Sequence, residues 1–215
     1  MKQIDYIFDL IEKSDVTLIG YTHRVENIKD EIISKMPCYR LGEISSSFSL
    51  KAYMRDIKLN QILEDGEYFK YIVLDIGDIR IVDDNKLNPM GRVKLIERII
   101  SNIREDMYKL YNEVCGNDLG SDFDDPESHV EEKFETPYKL IVTTPLYRSS
   151  VEHDIKNFTG GSKPLYMSDF AFVIQEPKLL IKSNIKVIKN RHDVDIDNIS
   201  LEGLKEYKYN EISNK

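Results

Sequence analysis

Val16-Thr17-Leu18-Ile19-Gly20-Tyr21-Thr22-His23-Arg24-Val25-Glu26-Asn27 is an apolar run that meets a glycine and opens into a short polar stretch. Ile28, Ile32, Ile33 and Met36 then follow at helical spacing. The run Val16 to Ile19 predicts a buried strand, Gly20 to Arg24 a turn, and the residues beyond a helix that closes before Pro37. A buried strand passing through a tight turn into a helix is the repeating unit of a parallel α/β sheet.

The neighbouring segments extend that reading. Upstream, Ile4, Ile7, Phe8 and Ile11 recur at helical spacing until Ser14-Asp15 breaks the pattern. Downstream, Cys38 to Leu41 predict a short strand, Ser45-Ser46-Ser47 precede a helix running to about Leu63, and Glu64-Asp65-Gly66-Glu67 turn the chain. Tyr68 to Leu74 are almost continuously apolar or aromatic and stop at Asp75, the pattern of a strand covered on both faces. The longest helix is expected after Pro89-Met90-Gly91, with Ile96, Ile99, Ile100, Ile103, Met107, Leu110 and Val114 forming one stripe toward the sheet. Leu140 to Thr143 predict a further buried strand. Phe170 to Gln175, Leu179 to Lys182 and Ile185 to Ile188 are closely spaced runs that favour antiparallel pairing.

The chain has 215 residues, 41% of them hydrophobic, enough to enclose the core of a single domain spanning residues 1–215. It has no apolar run of membrane-spanning length and no apolar leader, which predicts a cytoplasmic protein without a membrane partner. Cys38 and Cys115 lack paired spacing and read as reduced thiols. The net charge is −8, but eight acids and one lysine between Asn117 and Glu135 carry −7 of it, so the rest of the chain is close to neutral. That acidic insert, about 116–137, reads as an aperiodic solvated loop, and the near-neutral remainder leaves room for a basic patch. His23, His129, His153 and His192 lack ligand spacing. Asp193, Asp195 and Asp197 imitate the start of a calcium loop, but Asn198 and Leu204 stand where its glycine and glutamate belong, so no metal site is expected.

The chemistry-bearing residues begin at the first strand. A loop that cradles nucleotide phosphates has the form Gly-x-x-x-x-Gly-Lys-Ser/Thr, with backbone N–H groups and the lysine meeting the anion. In Gly20 to Asn27 only the first glycine is in register. Val25 stands at the second glycine and Glu26 at the lysine, an anion opposed to an anion, costing ~4 kcal/mol at ~4 Å in a surface-like dielectric. Thr22, His23 and Arg24 could hold some other anion, the plainer reading being a loop of polar residues, and Asn27 closes the loop. Asp75 ends its apolar strand as the aspartate that holds the magnesium shell does in nucleotide-hydrolysing proteins, although any buried strand can end in Asp.

In order, these segments resemble the RecA-type core of bacterial and phage recombinases and hexameric replicative helicases, over about residues 16–191, with residues 192–215 as a tail. The resemblance implies an α/β three-layer sandwich with a mainly parallel sheet and a C-terminal antiparallel meander. Leu41-Gly42-Glu43 resembles the strand and water-activating glutamate of that family, with Arg55 at a familiar helical distance beyond, and Asp75 the magnesium aspartate. Thr143-Thr144-Pro145-Leu146-Tyr147-Arg148 resembles the sensor strand, with Pro145 in place of a polar glutamine. Thr159-Gly160-Gly161 with Leu165-Tyr166-Met167-Ser168-Asp169 resembles the second DNA-binding loop and the strand after it. Lys189-Asn190-Arg191 resembles the basic finger that reaches a neighbouring subunit's nucleotide.

The resemblance therefore implies a RecA-like protein with a degenerate phosphate loop, an accessory factor in DNA replication or recombination. Glu43 and Asp75 would be remnants of catalysis, with no cofactor. Arg148, Lys156, Gly160, Gly161, Lys163, Lys189 and Arg191 would face single-stranded DNA or a protein partner, either a second copy or a related RecA-like protein. Two alternatives remain open. One is an ATPase using ATP-Mg²⁺ through an atypical loop; the other is a pure interaction scaffold or inhibitor of an active relative.

Overall fold

The computed structural model describes residues 3–44, 70–77, 80–81, 89–115, 139–146, 163–176, 184–192, 198–205 and 207. The chain opens with helix α1 (Gln3–Lys13), strand β1 (Val16–Tyr21), one 3₁₀ turn (His23–Val25) and helix α2 (Glu26–Ser34). Strands β2 (Cys38–Leu41), β3 (Glu43–Ile44), β4 (Tyr71–Asp75) and β5 (Arg80–Ile81) lead to the long helix α3 (Pro89–Cys115). Strand β6 (Lys139–Pro145), the short helix α4 (Lys163–Met167) and strands β7 (Phe170–Ile174), β8 (Asn184–Asn190) and β9 (Asn198–Ser200) follow.

Seven strands form one sheet in the order β2-β4-β6-β1-β7-β8-β9, and β3 and β5 form a separate parallel pair. The first five strands of that order run parallel, and β8 and β9 are antiparallel. Strands β1, β4 and β7 are buried along their whole length because both faces are covered, which is why they read as unbroken apolar runs. Alternate residues enter opposite cores. Val16, Leu18, Ile72, Leu74, Leu140 and Val142 pack with Leu95, Ile96, Ile99, Ile100 and Ile103 of α3. On the other face Ile19, Tyr21, Val73, Ile141 and Phe172 pack with Ile4, Ile7 and Ile11 of α1 and Ile32 and Ile33 of α2. The result is a three-layer α/β sandwich, mainly parallel and finished by antiparallel strands, as expected and consistent with a RecA-like fold.

Several boundaries differ from the sequence reading. Gly20 belongs to β1, where it pairs with Thr144 and Val173, so the turn starts only at Thr22. Strand neighbours on both sides hold the backbone extended and override the local glycine. Leu165 to Met167, which the resemblance sets in a strand, are helical, with Pro164 in the first turn where its missing N–H is harmless, and the strand starts at Phe170 as the apolar run predicts. Strand β9 was not anticipated: its one core residue, Ile199, sits among polar neighbours and leaves no periodic trace. It extends the sheet from within the expected tail, and Tyr207 stacks on Phe8 of α1 with ring centroids 3.8 Å apart.

The segment expected to be helical from Ser45 to Leu63, Arg55, the acidic insert, the run Leu179 to Lys182 and the aspartates 193–197 lie outside the described residues. So do Arg148, Lys156, Gly160 and Gly161. Among the described residues no helix is long and apolar enough to cross a membrane.

Candidate functional site

Parallel α/β sheets present ligands at the carboxyl ends of their strands, and here β1 and β4 end on either side of β6. Tyr21, Asp75 and Lys29 meet at that edge. The Lys29 ammonium lies 2.5 Å from Asp75 Oδ2, and the Tyr21 hydroxyl donates to Asp75 Oδ1 at 3.1 Å. The Gly77 amide donates to the same Oδ1 at 3.0 Å. The lysine also lies 4.5 Å from the centroid of the Tyr21 ring, a cation–π arrangement. Lys29 is fully buried and Asp75 is 7% exposed.

A buried ammonium is stable only when opposite charge and hydrogen bonds replace its water. Besides Asp75, Asp30 Oδ1 at 3.5 Å and Glu26 Oε1 at 3.8 Å surround it. Local sequence places Lys29 there: Ile32 and Ile33 are buried on one face of α2, Val25 just before it and Met36 just beyond it are buried too, and Lys29 falls on that same face. That spacing was readable, yet the lysine was missed among the apolar residues. Its partner is 46 residues away, with no local signal.

The loop between β1 and α2 is equally engaged. The Val25 amide donates to Thr22 O at 3.0 Å and closes the 3₁₀ turn. Glu26 occupies the first turn of α2 with its own carboxylate, where an acid is favoured by the helix dipole. Glu176, directly beyond β7 and unanticipated, receives the Thr22 hydroxyl on Oε1 at 2.7 Å and Arg24 Nη1 on Oε2 at 3.2 Å. Asn27 is exposed on α2. Glu43 lies in β3, paired with Arg80 of β5 in the small second sheet rather than in the main one.

This arrangement gives a direct test of fit for magnesium and nucleotide. Both oxygens of Asp75 receive protein donors, and an added Cβ at Gly77 would lie 2.5 Å from the Tyr21 hydroxyl oxygen. Thr22 and Arg24 are held by a carboxylate of the chain itself. In this arrangement the residues do not fit a magnesium-nucleotide complex.

A second group of expected site residues gathers around α4. Lys189 donates to the carbonyls of Leu165 and Tyr166 at 2.8 and 2.9 Å, satisfying the end of that helix. Burial, together with the nearby Arg191 and Arg104, lowers its pKa against the pull of Asp169. Arg191 pairs with Asp169 Oδ1 at 3.1 Å, and Asp169 Oδ2 accepts from the Val16 amide at 3.1 Å. Lys163 lies 3.4 Å from Glu97 of α3. These three cations thus sit around one short helix and are each tied within the chain, while Lys163 and Arg191 keep more than half of their side-chain surface exposed.

The fold and site together define a mainly parallel α/β sandwich with a charged cluster at the carboxyl edge of its sheet. Among solved structures, a KaiC-like protein from the hyperthermophilic archaeon Pyrococcus horikoshii is similar at 12% identity, with 86% of this chain and 83% of that chain covered and a TM-score of 0.28. No family model matches the sequence, and no curated protein matches it.

Proposed function

We propose that this chain is a RecA-like protein whose nucleotide position is filled by its own side chains. It acts as an accessory factor in DNA replication or recombination, binding protein and single-stranded nucleic acid without hydrolysing ATP. The observation that carries the first part is the buried Lys29 ammonium on Asp75. It sets one positive charge on the carboxylate where a magnesium ion would bring two. Exchange for a hydrated ion would require moving a buried lysine into water and separating it from Tyr21.

The binding half is supported by the grouping of Lys163, Lys189 and Arg191 around α4, directly after the Gly160-Gly161 segment. Arg191 and Lys163 keep more than half of their side-chain surface exposed although each is paired with an acid of the chain, so both cations remain within reach of a polyanion. Such a patch recognises phosphates by charge rather than bases by pattern. Fluorescence titration with a labelled oligonucleotide at low salt tests it: saturable binding that weakens with salt is expected, and no binding even at low salt sinks the nucleic-acid half.

A second reading is an ATPase with an atypical phosphate loop, which would require the same pair to separate. Lys29, one turn into α2, would leave Asp75 to meet a phosphate, with Glu43 activating water and Arg191 of a second copy contributing. ATP turnover that disappears in Glu43→Gln would establish this reading against the first.

A further inference from the structure

We propose that Glu176 is a built-in competitor for an oxyanion site formed by Thr22 and Arg24, and that withdrawing it opens the site to a phosphate-class anion. This deepens the reading of a self-filled site and rests on it.

Glu176 reaches its two partners across 154 and 152 residues of sequence, so the contact is tertiary and not an accident of a local turn. Its two oxygens are divided between them, Oε1 taking the Thr22 hydroxyl at 2.7 Å and Oε2 the Arg24 guanidinium at 3.2 Å. A phosphate offers the same pair of acceptors to the same donors. The donors differ in what they need. Arg24 is largely exposed and can return to water, whereas Thr22 is only 7% exposed. When Glu176 leaves, that buried hydroxyl loses its acceptor, a loss that drives the site toward a replacement.

The two neighbouring acids set the specificity. Lys29 is already balanced by Asp75, with Glu26 and Asp30 further out, so an anion entering at Thr22 gains little from that ammonium and depends on Arg24. The site should therefore be weak, dependent on Arg24 and sensitive to salt.

The test is amide NMR of the full chain titrated with magnesium-free inorganic phosphate and pyrophosphate, with chloride at matched ionic strength as control. Glu176→Ala is expected to show saturable shifts confined to residues 22–25 with a Kd of ~1–10 mM, at least ~10-fold tighter than the parent chain. Adding Arg24→Gln should abolish them. Equal behaviour of parent and Glu176→Ala, or shifts that survive Arg24→Gln, would overturn the proposal. Should Glu176→Ala fold poorly, Glu176→Gln keeps an acceptor for Thr22 while dropping the charge. Phosphate shifts stronger than in the parent are expected there, and their absence counts against the proposal. Binding of ATP-Mg²⁺ by the parent would break the underlying reading separately, because the phosphate titration contains no magnesium.

Discussion

Two Tyr-carboxylate-Lys groups sit at opposite ends of the same sheet. At the carboxyl end Tyr21 and Lys29 meet Asp75; at the amino end Tyr71 and Lys70 meet Glu12. The chemistry is shared but the setting is not. Lys29 is fully enclosed, whereas the Lys70 and Glu12 side chains are 31% and 26% exposed. A partly exposed group can borrow water when one partner is removed. A fully buried one cannot. The amino-end group is thus a clasp between α1 and β4, while the carboxyl-end group is a fixed internal charge at the edge where such sheets hold ligands.

The largest expected effect breaks the buried group. Lys29→Ala should lower unfolding free energy by ~3–5 kcal/mol, because it leaves Asp75 charged without its counter-ion. Lys29→Met with Asp75→Leu should lose much less than the sum of the single changes, read from denaturant midpoints. If Lys29→Ala costs no more than a change at the clasp, the contrast between the two ends collapses.

At the clasp, Glu12→Gln should cost ~1 kcal/mol, since partial exposure screens the pair. Burial works against the charged form of Glu12, but hydrogen bonds from Lys70 and Tyr71 outweigh it and hold the pKa below the ordinary 4.5. A carboxylate with a depressed folded pKa adds stability above its unfolded value, and that stability is lost as pH falls through the folded value. Chemical denaturation from pH 6 downward should therefore show a decline beginning near 4.5 that Glu12→Gln reduces.

Smaller still is the outcome at the cationic group around α4. Arg191→Gln should reduce the salt slope of single-strand binding by ~0.7 for each phosphate that Arg191 neutralises. A slope unchanged in this variant would place the nucleic acid elsewhere. Smallest of all, Lys109→Ala should leave the thermal midpoint unchanged, because its pair with Glu105 across one turn of α3 is open to solvent.

The contrast also explains what the sequence could convey. Strands β1, β4, β6 and β7 were legible because burial on both faces writes a continuous apolar run, and α3 because Ile96, Ile99, Ile100 and Ile103 share a face. Asp75 was legible as the acid ending such a run. Lys29 carried half a signal: its spacing puts it on the buried face of α2, but only the fold brings Asp75 to it. Glu176 carried none, since it follows the last apolar residue of β7 and finds its partners more than 150 residues earlier. Strand β9 escaped for a similar reason, being three residues long and defined by its pairing with β8.

The self-filled site is tested most directly by calorimetric titration of the intact chain with ATP and Mg²⁺. No saturable heat is expected up to ~1 mM nucleotide. Binding tighter than ~100 μM that vanishes in Lys29→Ala, under conditions where the variant is folded, would contradict it, because Lys29 would then serve the nucleotide and not replace its metal.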